Sequence, residues 1–67
     1  MTFSERYSYG AVVEYADGLE EEHYFEDEDD ARNFAYASCE SGEAVGVDLY
    51  IMDWYMHQST SIDYIQA

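Results

Sequence analysis

Carboxylates are the side chains with most chemical capacity in this sequence. There are sixteen, against two basic residues, Arg6 and Arg32, and two histidines, His23 and His57. Eight of the sixteen lie in the eleven residues from Glu20 to Asp30, Glu-Glu-Glu-His-Tyr-Phe-Glu-Asp-Glu-Asp-Asp. Paired carboxylates do acid–base chemistry when a pocket separates their pKa values, and a chain this short leaves little room for one. His23 and His57 are distant in sequence and read as satisfied or surface histidines. Asp27-Glu28-Asp29-Asp30 has the composition of a calcium site but lacks the spaced ligands and the glycine of an EF-hand loop. Consecutive residues at a helix start fan outward and do not converge on one ion. No Ser-His-Asp set, Cys-His pair or glycine-rich phosphate loop is present. The expectation is therefore a non-enzymatic protein with no catalytic residues, no cofactor and no metal.

Cys39 is the single cysteine, so no intramolecular disulfide can form. It reads as a buried or half-buried small apolar group. The expected compartment is the reducing cytoplasm. The opening Met-Thr-Phe-Ser-Glu-Arg has no hydrophobic segment of the secretory kind, and no apolar run is long enough to span a bilayer.

The formal net charge is −14 over 67 residues. Such a charge opposes direct nucleic-acid binding, which needs a basic surface, and disfavours an anionic membrane. It favours a partner that is itself strongly basic. The chain is nevertheless 48% hydrophobic and 18% aromatic, enough apolar surface to fold. One small acidic domain spanning 1–67 is expected. A chain of this size buries only about 60% of its unfolded surface, so its core is small.

Periodicity places these residues on elements. Arg6 to Tyr15 reads as a strand, with Tyr7, Tyr9, Ala11, Val13 and Tyr15 alternating against Arg6, Ser8, Gly10, Val12 and Glu14. Ala16-Asp17-Gly18 then predicts a three-residue hairpin loop closed by a left-handed glycine. A two-residue Asp17-Gly18 loop is the alternative. Leu19 to Phe25 returns as the second strand. The longer loop sets Glu14 opposite Glu20, and the shorter one sets it opposite Glu21. Like charges directly opposite one another are destabilising, and a local rule broken without visible compensation points to function.

Asp27 is the expected N-cap of a helix, with Asp30 three residues on. Ala31, Phe34, Ala35 and Ser38 make a narrow apolar stripe, Glu28 and Arg32 form an i,i+4 pair, and Gly42 ends the helix near Glu40. Glu43 to Trp54 is a third strand, with Val45, Val47, Leu49 and Ile51 toward the core. It continues to a turn around His57-Gln58-Ser59, and Thr60 to Ile65 forms the fourth. The expected fold is α+β, in ββαββ order, a single antiparallel sheet with one helix packed on one face. The other face stays open. It collects Val12, Tyr24, Tyr50, Met52 and Trp54, with Glu14, Glu20, Glu22 and Asp48 among them. Exposed aromatics mixed with acids are the composition of an interaction surface.

Residues i and i+2 on one strand face stand roughly 6.6 Å apart, a spacing of the same order as successive phosphates on a nucleic-acid strand. Carboxylates on neighbouring strands can then stand in for a duplex backbone. The expected partner-binding residues are Glu14, Glu20, Glu22, Glu26, Asp27, Glu28, Asp29 and Asp30, with Tyr24, Tyr50 and Trp54 as aromatic anchors.

A small, folded, strongly acidic domain with one cysteine resembles the inhibitors that bacteriophages and mobile elements encode against host defence. These include anti-CRISPR proteins, anti-restriction proteins and inhibitors of DNA-repair glycosylases, several of which are DNA mimics. The resemblance spans the chain but rests on size, charge and pattern, with no family motif, so no family residue is carried over. It implies a target, the basic groove of a host nucleic-acid-binding protein, foremost the DNA-reading surface of a CRISPR effector. A phage-encoded protein of this kind would act in the host cytoplasm. The alternative expectation is an acidic interaction or homodimerisation module that uses the exposed aromatic sheet face.

Overall fold

In the computed structural model, which describes residues 2–67, a four-residue helical turn α1 (Phe3–Arg6) leads into β1 (Tyr7–Tyr15). Next come β2 (Glu20–Phe25), the helix α2 (Glu28–Glu40), β3 (Ala44–Asp53) and β4 (Gln58–Gln66). The four strands form one antiparallel sheet in the order β2-β1-β3-β4. Helix α2 packs on one face, chiefly over β3 and β1. The fold is thus α+β in the expected ββαββ order, with α1 as an addition.

The β1–β2 hairpin has the three-residue loop. The Tyr15 amide donates to the Leu19 carbonyl at 2.9 Å and the Gly18 amide to the Tyr15 carbonyl at 3.0 Å. Gly18 takes φ 90°, a left-handed conformation that costs glycine nothing. Asp17 Oδ1 accepts the Leu19 amide at 3.1 Å and fixes the loop from inside. This register sets Glu14 against Glu20, Val12 against Glu22 and Gly10 against Tyr24.

Helix α2 starts at the expected place by a different device. Asp27 occupies the N-cap with extended backbone, yet its side chain makes no capping hydrogen bond. Its carbonyl accepts the Ala31 amide at 3.2 Å. Glu28, Asp29 and Asp30 fill the first turn, where the helix dipole favours negative charge. Ala31 and Ala35 are buried, and such small side chains let the helix sit close on the sheet. Beside them, Phe34 packs on Phe25 at 5.3 Å and on the His23 ring at 4.7 Å. The core comprises Ala11, Val13, Ala31, Ala35, Ala44, Val47 and Leu49. Among the described residues the largest fully enclosed side chains are Leu49, Val13 and Val47, so the core is as small as the length implies. Cys39 is half-buried against it, its thiol directed at the Ile65 carbonyl at 3.7 Å.

The structure corrects three expectations. Val45 does not join the core. Tyr15 pairs with Ala44 and Glu14 with Gly46, leaving Val45 as the extra residue of a bulge. Ala44 takes the core-facing place and Val45 is 46% exposed. The β3–β4 turn also comes earlier than expected. β3 ends at Asp53, whose Oδ1 accepts the Tyr55 and Met56 amides at 3.0 and 3.2 Å. β4 begins at Gln58, after His57 in the left-handed region at φ 53°. A second bulge, at Ile62, lets Asp63 face the helix side while Ser61 and Tyr64 face the other. Finally, Arg6 belongs to α1 and not to the first strand. It holds Asp53 through two bonds, Nε to Oδ1 at 3.1 Å and Nη2 to Oδ2 at 3.0 Å.

Candidate interaction face

The sheet face away from α2 is built in rows set by strand register. One row carries Glu20, Glu14 and Gly46, the next Glu22, Val12, Asp48 and Tyr64, and the next Tyr24, Gly10, Tyr50 and Ser61. Two tyrosines cross glycines on this face. A Cβ on Gly10 would lie 2.6 Å from Cε1 and Cε2 of Tyr50, and one on Gly46 would collide with the Tyr64 hydroxyl end. The glycines thus clear the space that each ring occupies.

The ring of Tyr50 reaches across Gly10 to Glu22. Its hydroxyl donates to Glu22 Oε2 at 2.7 Å, and the Tyr24 hydroxyl donates to Oε1 at 2.6 Å. Both carboxylate oxygens are thereby engaged. The Tyr24 and then the Tyr50 hydroxyl hold the Glu22 carboxyl below its ordinary pKa. Burial, followed by the neighbouring Tyr24 and Glu22, pushes the Tyr50 phenol far up. The Tyr64 phenol is raised by burial first and then by the nearby Glu14 charge. Tyr24 meets Tyr50 edge-on at 6.3 Å and Trp54 at 5.2 Å. The Trp54 indole nitrogen donates to Ser8 Oγ at 3.0 Å.

These contacts sort the expected partner-binding residues. Glu14, Glu20, Glu22, Tyr24 and Tyr50 share the open face, and Trp54 stacks at its end. Glu26 and Asp27 lie exposed in the link to α2. Glu28, Asp29 and Asp30 open a helix that packs on the opposite face, so they do not extend the carboxylate rows. Glu28 is also spoken for, because Arg32 Nε bonds its Oε2 at 2.8 Å while Arg32 Nη1 bonds Asp63 at 2.9 Å. Tyr50 is not an exposed anchor, being only 9% accessible. Tyr24 and Trp54 remain 42% and 39% accessible. The opposition of Glu14 and Glu20 is real, and neither makes an ion pair among the described residues. Both arginines are engaged elsewhere, Arg6 with Asp53 and Arg32 with Glu28 and Asp63.

A cavity of about 310 Å³ opens on this face. Its floor is Val12, with Tyr24, Tyr50 and Met52 as apolar walls. Glu22 and Asp48 border it, and Ser59 and Ser61 close the β4 side. Sequence reasoning placed Asp48 on this face but missed the two serines, because Ser59 falls in the expected turn and Ser61 reads as an unremarkable position of the fourth strand. His23 lies on the helix side, bonded to Glu21 at 2.7 Å, and among the described residues no three His, Cys, Asp or Glu side chains converge in a metal-binding group. No helix among the described residues is long and apolar enough to cross a membrane.

The chain matches no known protein family, and neither curated proteins nor solved structures give a match.

Proposed function

We propose that this protein is a non-enzymatic inhibitor that occupies the basic nucleic-acid groove of a host DNA- or RNA-binding protein, with carboxylates standing in for phosphates. An anti-CRISPR role is the foremost version. The observation that carries the reading is the Glu14–Glu20 opposition, which no cation relieves among the described residues, continued by Glu22 and Asp48 in the next row, on a face that neither arginine reaches. Along β2, Glu20 and Glu22 stand roughly 6.6 Å apart, and their rows on β1 and β3 stand roughly 5 Å further on each. A basic groove would supply the cations this face lacks and would capture the protein quickly through electrostatic steering.

The test is capture from a host lysate at low salt, followed by a salt-elution series and competition with duplex DNA. Binding should weaken steeply with salt, and duplex DNA should displace the target. Glu20→Lys should weaken capture much more than Asp63→Lys, because Asp63 is already bound to Arg32 on the other face. Salt-insensitive capture, or equal loss at both acids, would refute the proposal.

The homodimer reading keeps one supporting observation, the exposure of Tyr24 and Trp54. It loses Tyr50, which the fold already covers. Light scattering across a dilution series decides it.

A further inference from the structure

We propose that the open-face cavity is an arginine-binding pocket that receives one guanidinium of the basic partner. This deepens the groove-binding reading and rests on it. Glu22 and Asp48 both register with Val12, one strand to either side. Their backbones are therefore about 10 Å apart, two strand spacings, with Val12 as an apolar floor between them. The proposed site for one planar cation is the cavity that both carboxylates border. Glu22 is preorganised for it. Each of its oxygens accepts one tyrosine hydroxyl, which fixes the carboxylate and leaves a lone pair on each oxygen for a further donor. Asp48 is little spent: its one side-chain hydrogen bond among the described residues comes from the Ser61 hydroxyl at 3.5 Å, too long for a strong bond. Among the described residues neither acid makes an ion pair.

The walls select arginine over lysine. Tyr24 and Tyr50 present an edge-to-face aromatic corner, on which a flat, weakly hydrated guanidinium stacks well. Acceptors on opposite sides suit its fork of five donors, whereas an ammonium is a compact point charge. Ser59 and Ser61 add hydroxyl acceptors on the β4 side. Duplex DNA holds the arginines of a basic groove through phosphate oxygens, and this pocket offers two carboxylates in their place.

The test uses isotope-labelled protein titrated with N-acetyl-arginine methylamide, its lysine counterpart and its uncharged citrulline counterpart, read by amide chemical shifts. The arginine probe should give saturable shifts centred on Val12, Glu22, Tyr24, Asp48 and Ser61. Lysine should bind more weakly and citrulline should not bind. Asp48→Asn should weaken the arginine probe about fivefold. Ser61→Phe, which fills the cavity without changing charge, should abolish binding while the remaining amide spectrum stays native. Equal binding of citrulline, shifts centred instead on Asp29 and Asp30, or undiminished binding by both variants would overturn the pocket. The two proposals fail separately. Duplex-competable capture by variants that no longer bind arginine would remove the pocket and keep the groove reading. Arginine saturation without any duplex-competable capture would do the reverse.

Discussion

The Tyr50 hydroxyl donates to Glu22 Oε2 at 2.7 Å, across a glycine that leaves the ring room to lie there. This bond joins β3 to β2 over β1. It explains how Glu22 is held on the open face with neither arginine reaching it, since hydroxyl donors satisfy the carboxylate instead of cations.

Tyr50→Phe should therefore destabilise the fold by about 1 kcal/mol, the usual worth of one intramolecular hydrogen bond. The ring and its packing are kept, so the loss isolates the hydroxyl. Urea denaturation at neutral pH, followed through Trp54, the single tryptophan, gives the number. An unchanged midpoint would mean that Tyr24 alone suffices for Glu22.

Acid should weaken the fold through three identified carboxylates. Tyrosine hydroxyls hold Glu22 below its ordinary 4.5. Arg6 first, and then the turn amides, hold Asp53 below 3.8. Arg32 and the Tyr64 amide do the same for Asp63. For a depressed pKa the stabilisation is complete above the unfolded value and disappears as pH falls through the folded one. The contribution of these three groups should thus hold down to about pH 4.5 and decline below it. Denaturation midpoints measured from neutral pH to pH 3 should flatten in the Glu22→Gln variant relative to the parent.

On the alkaline side, four of the eight tyrosines are shifted upward: Tyr15, Tyr24, Tyr50 and Tyr64. A raised phenol pKa contributes stability that is whole below the unfolded value of 10 and is lost as pH climbs toward the folded one. Near-ultraviolet titration should resolve a late-ionising group of tyrosines whose onset coincides with unfolding. Tyr50→Phe should remove the last of them.

The two glycines under tyrosines should differ in tolerance. Gly10→Ala would force its methyl into the buried Tyr50 ring, and overpacking of that kind costs about 1–3 kcal/mol. Gly46→Ala meets the hydroxyl and adjoining ring carbons of the half-exposed Tyr64, which can swing toward solvent, so its cost should be smaller. Thermal melts of the two variants rank them directly, and a reversed order would show that Tyr64 is the more rigid ring.

Much of this was readable from residue pattern. Period-two alternation from Tyr7 to Tyr15, the Ala16-Asp17-Gly18 loop and the Ala31–Ala35 spacing pointed to the hairpin, the helix and the faces, because each is a local rule that tertiary packing obeys here, while the choice between the two hairpin registers came from the structure. The bulges were not readable. Val45 is as good a core residue as Ala44, and only pairing against Tyr15 and Glu14 decides which one turns outward. The early β3–β4 turn left a faint signal in Asp53, a residue suited to capping the next two amides, but apolar Trp54, Tyr55 and Met56 masked it. At the candidate site, composition located the acidic aromatic face. It could not show that Tyr50 is covered or that Glu22 is tied on both oxygens, since both depend on rings crossing glycines two strands apart.

The placement of the arginines has one more consequence. Trypsin cuts after lysine and arginine, and this chain offers it only the bonds following Arg6 and Arg32. The first lies where α1 meets β1 and the second within α2, and both side chains are clamped by acids. Neither bond can enter a protease cleft until its element opens. The folded protein therefore carries a built-in reporter of its own opening. Scission at position 6 registers fraying of the β1 end, and scission at position 32 registers release of the helix from the sheet.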